Sequence, residues 1–227
     1  MQLGPFTLGA IYLTVWWTVL FVVLPLGAHS HHESGVDAPI GHEPGSPVTL
    51  NLRRKAITTT WVSAIVWVVV VAVAMAGRAG LGPEATRDLM RAALLHDIGK
   101  LGISNRILDK PGGLTDSEYG EIKRHPKITY DILSRVGPFR PIAETAANHH
   151  EKLDGSGYHR GIGAEDLDLP SRILAVADIY DALSAERPYH KALPQEKVID
   201  ILREESRTKL DPECVAILED LAADDEI

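Results

Sequence analysis

Two stretches of the chain carry no charged side chain. "TLGAIYLTVWWTVLFVVLPLGA" (Thr7–Ala28) and "AITTTWVSAIVWVVVVAVAMAG" (Ala56–Gly77) are each 22 residues long. About 20 apolar residues cross a bilayer as a helix. The pattern therefore predicts two transmembrane helices, over about 7–28 and 56–77. A cleaved signal peptide competes for the first run, but no Lys or Arg precedes it. A buried soluble helix competes for the second. Between them, His29–Leu52 is a Gly/Pro/Ser/His loop without periodicity. Its His29, His31, His32 and His42 are irregularly spaced and read as a solvated linker.

From Pro83 the pattern changes to short amphipathic helices. Apolar positions recur at Leu89, Ala92 and Ala93, just before His96. "TDSE" (Thr115–Glu118) is a capping box opening a helix toward Arg124. Further helices are predicted through Ile128, Ile132 and Leu133, over Pro141–His150, and over Ser171–Ala185, the last read as strongly amphipathic. Pro194 and Pro212 each read as opening a helix. No strand pattern occurs. The predicted fold class is all-α, with a membrane region (1–77) followed by a helical domain (78–227).

Charge sharpens that division. Residues 78–227 hold 28 acidic and 20 basic side chains, the whole net charge of −8. An acidic domain argues against a nonspecific nucleic-acid surface, although a small anion held by a metal and a few cations is still compatible. The single cysteine, Cys214, excludes an intrachain disulfide and a CxxC zinc site.

Six of ten histidines lie in the helical domain. His96, His125, His149 and His150 fall near predicted helix ends, alongside Asp97 and Asp178. Imidazole plus carboxylate is a ligand set for Zn, Fe or Mn. A carboxylate beside His96 has two oxygens and can bridge two metals. Two cations about 3.5–4 Å apart can polarise a water and clamp a phosphodiester. Spacing alone leaves structural histidines equally open. Adjacent residues on a helix diverge, so His149 and His150 serve together only if two ligands flank that turn.

The words themselves are more specific. "LLHDIGKLGI", "RHP", "NHHEKLDGSGYHRG", "LPSRILAVADIYDAL" and "RPYHKA" resemble, in order, the HD-GYP family of phosphohydrolases over about residues 82–222. The resemblance implies an HD-type helical bundle, two divalent metal ions (Fe or Mn) and hydrolysis of cyclic di-GMP. Carried over by motif, His96, Asp97, His125, His149, His150 and Asp178 are the metal ligands, with Asp97 bridging. Lys100 would hold a substrate phosphate and assist catalysis beside Asp97. Arg187 and Tyr158 would contact substrate, with Gly155 and Gly157 allowing a tight loop. The structural readings are a helix-end cation for Lys100, a surface ion pair for Arg187 and packing for Tyr158.

The resemblance breaks at two places. The name motif ends in His159 rather than Pro. The family also supplies a further His ligand some thirty residues before the HD pair, and no His occurs between His42 and His96. The bundle is therefore expected to be truncated, lacking its opening helix and one ligand. Apolar surface left uncovered would favour a homo-oligomer or a signalling-protein partner. Residues 1–77 resemble small two-span alphaproteobacterial membrane proteins of unknown function. The combined expectation is a multi-pass inner-membrane protein, in contact with the lipid bilayer and with its catalytic part cytoplasmic. Arg53, Arg54 and Lys55 pull toward the opposite orientation, against Arg78, Arg87 and Arg91. The function expected is a cyclic di-GMP phosphodiesterase impaired by the lost ligand. The alternatives are a module that binds the dinucleotide or a signalling partner without turnover, and a hydrolase of another nucleotide phosphoester.

Overall fold

The computed structural model describes residues 16–20, 52–108, 110, 112–185 and 192–224. Most of the first apolar run and the loop with His29, His31, His32 and His42 lie outside them. The chain divides into two compact units, residues 4–64 and 65–227. In the first, residues 16–20 are helical and the Trp16 indole donates to Thr60 Oγ1 at 3.4 Å.

Nine α-helices follow in the described residues, with no strand: α1 (Leu52–Arg78), α2 (Pro83–Leu95), α3 (Asn105–Leu108), α4 (Asp116–Ile122), α5 (His125–Leu133), α6 (Ala143–Ala147), α7 (Leu169–Ser184), α8 (Gln195–Glu205) and α9 (Pro212–Ala223). Tight 3-10 turns cover Ile98–Gly102, Gly137–Ile142 and Asn148–His150. The expected helix over Pro141–His150 is thus three short pieces. Pro141 and the sharp turn into the paired histidines interrupt a continuous ladder.

Local chemistry sets several boundaries. Thr115 and Glu118 form the expected capping box at α4. Asp168 caps α7 through the Ser171 amide, and Asp211 caps α9 through the Glu213 and Cys214 amides. Pro212 stands in the first turn of α9, whereas Pro194 is the residue before α8.

Helix α7 is the axis of the second unit. Ser171, Ile173, Leu174, Ala175, Val176, Ala177, Tyr180 and Asp181 are all buried. It is enclosed nearly all round rather than amphipathic, so it can carry a polar residue such as Asp178 into the interior.

The second apolar run belongs in part to this core. Within residues 65–78 of α1, Val68, Val71, Ala72, Met75 and Ala76 are buried and join the cluster of Leu89, Ala92, Leu133, Ile173 and Leu218. Their spacing (i, i+3, i+4, i+7, i+8) makes one helical stripe. This corrects the expected truncation, because the bundle has a helix before α2. Length and hydrophobicity do not separate a lipid-facing helix from a core helix. Among the described residues one helix, Thr58–Arg78, is long and apolar enough to cross a membrane by composition; two spans are not seen there. Residues 65–78 contain no His, Asp or Glu, so the expected extra ligand stays missing from that helix.

Candidate metal centre

Four segments bring the sequence-predicted donors together. His96 ends α2, and Asp97 opens the 3-10 turn that follows. His125 is the first residue of α5, His149 and His150 lie in the Asn148–His150 turn, and Asp178 comes from α7. His96, His125 and His149 are fully enclosed, each at most 2% exposed.

Backbone carbonyls orient three of the rings. Nδ1 of His96 bonds to Ala93 O, that of His125 to Ile122 O and that of His149 to Ala146 O, each at 2.7 Å. Each carbonyl belongs to the residue three positions earlier. A carbonyl only accepts, so each Nδ1 carries a hydrogen and Nε2 is the atom each ring can offer to a metal once it is free of a proton. Those Nε2 atoms converge. His125 Nε2 lies 3.1 Å from His149 Nε2 and 3.3 Å from Asp97 Oδ1. His149 Nε2 is 3.9 Å from Asp97 Oδ1. His96 Nε2 stands 3.4 Å from Asp97 Oδ2 and 3.6 Å from Asp178 Oδ1, and His150 Nδ1 is 3.8 Å from Asp178 Oδ2. One ligand atom from each of His125, His149 and His150 falls within 4.8 Å of the others.

Contrary to the expected divergence, His149 and His150 serve one cluster. Their rings are 4.1 Å apart at 44°, one reaching Asp97 and the other Asp178. The tight turn, rather than an α-helix, brings them side by side.

Electrostatics separate the two sides. Burial disfavours charge on His96, but Asp97 and Asp178 outweigh it and raise its pKa to about 10. Against burial, His96 and its neighbours hold Asp97 well below the usual carboxylate range, and His96 and His150 do the same for Asp178. Burial drives His149 far down and His150 to about 4. Two ionised carboxylates therefore face the neutral imidazoles of His149 and His150, and His96 holds a proton between the carboxylates. Two facing Nε2 lone pairs at hydrogen-bond distance call for a cation or a proton between them. This donor set suits a divalent metal whose binding displaces that proton.

A supporting layer was not singled out from the sequence. The Gly99 amide donates to Thr129 Oγ1 at 3.0 Å, and that hydroxyl donates to His96 O at 2.8 Å. This clamps the His-Asp turn onto α5. A Cβ on Gly99 would fall on the carbonyl oxygen of His125. Buried Glu151 accepts from the Arg160 amide at 2.7 Å, tying the following loop to the paired histidines. The glycine in "HDIGK" and the acid after "HH" were the available signals.

Lys100 Nζ pairs with Asp97 Oδ2 at 2.5 Å. Tyr158 lies over His150, with ring centroids 4.6 Å apart at 33°. Gly155 takes φ 76, and a Cβ on Gly157 would come within 2.5 Å of Glu151 Cα, so both glycines are required by the loop. His159 adopts φ 146, which the ring of a proline, fixed near about −65°, could not follow. A proline at this position would therefore require a different path for the loop. Arg187 lies outside the described residues.

A helical bundle with a buried His/Asp cluster built around an adjacent His-Asp pair defines the class. Residues 49–214 match the family described as HD domain, and the chain belongs to that family. The match begins before α1, in keeping with the place of that helix in the core. Residues 3–82 also match a family described as protein of unknown function (DUF1467). Among curated proteins, the chain is 53% identical over 130 residues to a 3'3'-cGAMP-specific phosphodiesterase 3 of Vibrio cholerae, covering 57% of this chain and 28% of that protein. It is 41% identical over 151 residues to a cyclic di-GMP phosphodiesterase response regulator of Xanthomonas campestris, covering 63% and 39%. It is also 41% identical over 138 residues to a cyclic di-GMP phosphodiesterase of Thermotoga maritima, covering 60% and 38%. The matches span about a third of these relatives' lengths. An HDG"Y"P protein from Bdellovibrio bacteriovorus shares the fold, with TM-score 0.61 at 20% identity over 75% of this chain and 57% of that one. The family read from the five sequence blocks is borne out.

Proposed function

We propose that the chain is a metal-dependent phosphodiesterase of cyclic dinucleotides, cyclic di-GMP or the mixed 3'3' guanine–adenine dinucleotide. The relatives named above act on these substrates. One observation carries the reading: three carbonyl-oriented imidazoles are buried around two carboxylates, with His125 and His149 turning Nε2 toward Asp97 and His96 turning Nε2 toward Asp97 and Asp178. His125, His149, His150 and Asp97 would hold one divalent ion. His96, Asp178 and the other oxygen of Asp97 would hold a second, with Fe or Mn favoured by the mixed nitrogen and oxygen donors. Bound there, such ions supply Lewis-acid polarisation of a water and a phosphoryl oxygen.

The chain's own groups do the remaining work. Lys100, freed from Asp97 by a competing cation, sits one turn from the cluster and can neutralise charge on a phosphoryl oxygen. Tyr158 gives an aromatic face beside His150. Glu151 holds the loop carrying that tyrosine against the histidine turn. Arg187 is assigned a second anion contact from its place in "RPY".

A second reading is favoured by a specific feature. Residues 65–78 supply a helix but no donor, so the site around His96 has three protein ligands. Binding without turnover is the expected phenotype if that site does not fill. The membrane reading, an inner-membrane protein with its metal centre facing the cytoplasm, rests on the apolar runs at 7–28 and 56–77. Sodium carbonate extraction of membranes checks it.

Purified full-length chain should contain two Fe or Mn ions and consume cyclic di-GMP, and Asp97→Ala should abolish both. Fewer metals with retained dinucleotide binding would select the second reading. Neither metal nor binding would reject both.

A further inference from the structure

Lys123 sits at the end of α4, its amide bonded to Tyr119 O at 3.0 Å. Its ammonium lies 4.6 Å from the centre of the Tyr119 ring and 5.5 Å from that of Tyr158. No carboxylate stands within 4 Å of it among the described residues, although the protein carries a net charge of −8. Tyr158 in turn lies over His150. The cation thus stands between two aromatic rings, one of which packs against a histidine of the metal centre. Tyr119 is half exposed, at 48%, and opens the group to solvent.

Resting on the reading that the site takes a cyclic dinucleotide, we infer that Lys123, flanked by Tyr119 and Tyr158, receives the half of the substrate that is not being cleaved. Such a ligand has two phosphodiesters and two bases. The metal centre and Lys100 account for the phosphodiester that is hydrolysed. The other remains charged and needs a cation besides the contact assigned to Arg187; among the described residues Lys123 stands beside Tyr158, between two aromatic rings, with no carboxylate within 4 Å. The tyrosine rings offer flat faces to a base, and aromatic stacking of bases tolerates guanine and adenine alike. The competing role is local: a cation over an aromatic ring that also complements the carbonyl end of α4. That role would affect folding but not ligand choice.

Two probes separate the roles. Cyclic di-GMP has the second phosphodiester; bis(p-nitrophenyl) phosphate does not. With full-length metal-loaded chain, Lys123→Gln should weaken cyclic di-GMP binding and raise its KM roughly tenfold, as expected for one charge-assisted contact. Its kcat, its metal content and its hydrolysis of bis(p-nitrophenyl) phosphate should stay within about twofold. Lys123→Arg should restore most of the loss, and Tyr119→Ala should repeat part of it. The inference is overturned if Lys123→Gln binds cyclic di-GMP like the parent, if both probes lose equally, or if the melting temperature falls with no selective loss. Failure of the parent chain itself to bind cyclic di-GMP rejects the underlying reading and this inference together, and is seen before any variant is made.

Discussion

Replacing Gly99 by alanine tests whether the site depends on one close backbone contact. The added methyl would land on His125 O and lie 2.7 Å from Thr129 N and 2.8 Å from Thr129 Oγ1. Carbon contacts are comfortable at roughly 3.5 Å. The nearest obstacles include backbone atoms of a helix, His125 O foremost among them, so the turn and α5 must separate by about 1.5 Å. Overpacking of this kind costs about 1–3 kcal/mol. Opening the gap also strains both Thr129 hydrogen bonds, at about 1 kcal/mol each. The sum is about 3–5 kcal/mol, or a fall in melting temperature of roughly 10 °C for a domain this size. The same movement draws Asp97 from His125, which now lie 3.3 Å apart. A misplacement of about 1 Å commonly costs about 100-fold in rate. Differential scanning fluorimetry, metal analysis and cyclic di-GMP turnover measure the three effects. Gly120→Ala is the control: nothing lies within 4 Å of its Cβ position in α4, and helical alanine is favoured over glycine. A Gly99→Ala protein that melts within 2 °C of the parent and keeps its metals would refute the claim that this contact sets the site.

Three further outcomes follow from the same structure. Val71 is fully buried whereas Val70 is 41% exposed; if α1 serves the core in water, Val71→Asp should unfold the domain and Val70→Asp should cost less than about 1 kcal/mol. A lipid-embedded α1 would instead penalise Val70→Asp by about 2.5–3.5 kcal/mol, read as lost membrane insertion. In chelator-treated protein the raised pKa of His96 gives stability that is complete below about pH 6.5 and lost as pH climbs through about 10. Its melting temperature should therefore fall between pH 7 and 9, His96→Gln should flatten the trend, and a rising curve would contradict the assigned proton. Gly157→Ala, which meets Glu151 Cα and His150 O, should shift the loop, disturb Tyr158 over His150 and raise KM more than it lowers melting temperature; an unchanged KM would count against the loop's role.

The donors were legible because chemistry and order are both written locally. His96-Asp97, His149-His150 and Asp178 each sit in a short distinctive word, and all were brought together. The capping residues Thr115 and Asp211 likewise act within a few positions of themselves. What could not be read required knowledge of a neighbour. Charge-free Ala56–Gly77 is equally at home in lipid or in a protein core, and only packing against Leu89, Ile173 and Leu218 places its second half. Thr129 looks like an ordinary helical residue until Gly99, thirty positions earlier, is seen beneath it. The divergence expected of His149 and His150 assumed α-helical geometry, and a 3-10 turn replaced it.

The missing ligand and the recovered helix point to one consequence for the site. Asp97 and Asp178 contribute two negative charges to a pocket whose other donors are mostly neutral. A proton on His96 offsets part of that charge, and one divalent ion would offset all of it. Only a second divalent ion would make the pocket clearly attractive to an anion, since a buried charge imbalance is weakly screened. On the proposed reading, the second ion would fall to the side around His96, and residues 65–78 of α1 contain no His, Asp or Glu to add a donor. Substrate attraction and ligand scarcity therefore meet at the same place. If the proposed function holds, turnover as opposed to mere binding would depend on how firmly His96, Asp97 and Asp178 retain a cation against the proton that the two carboxylates stabilise there.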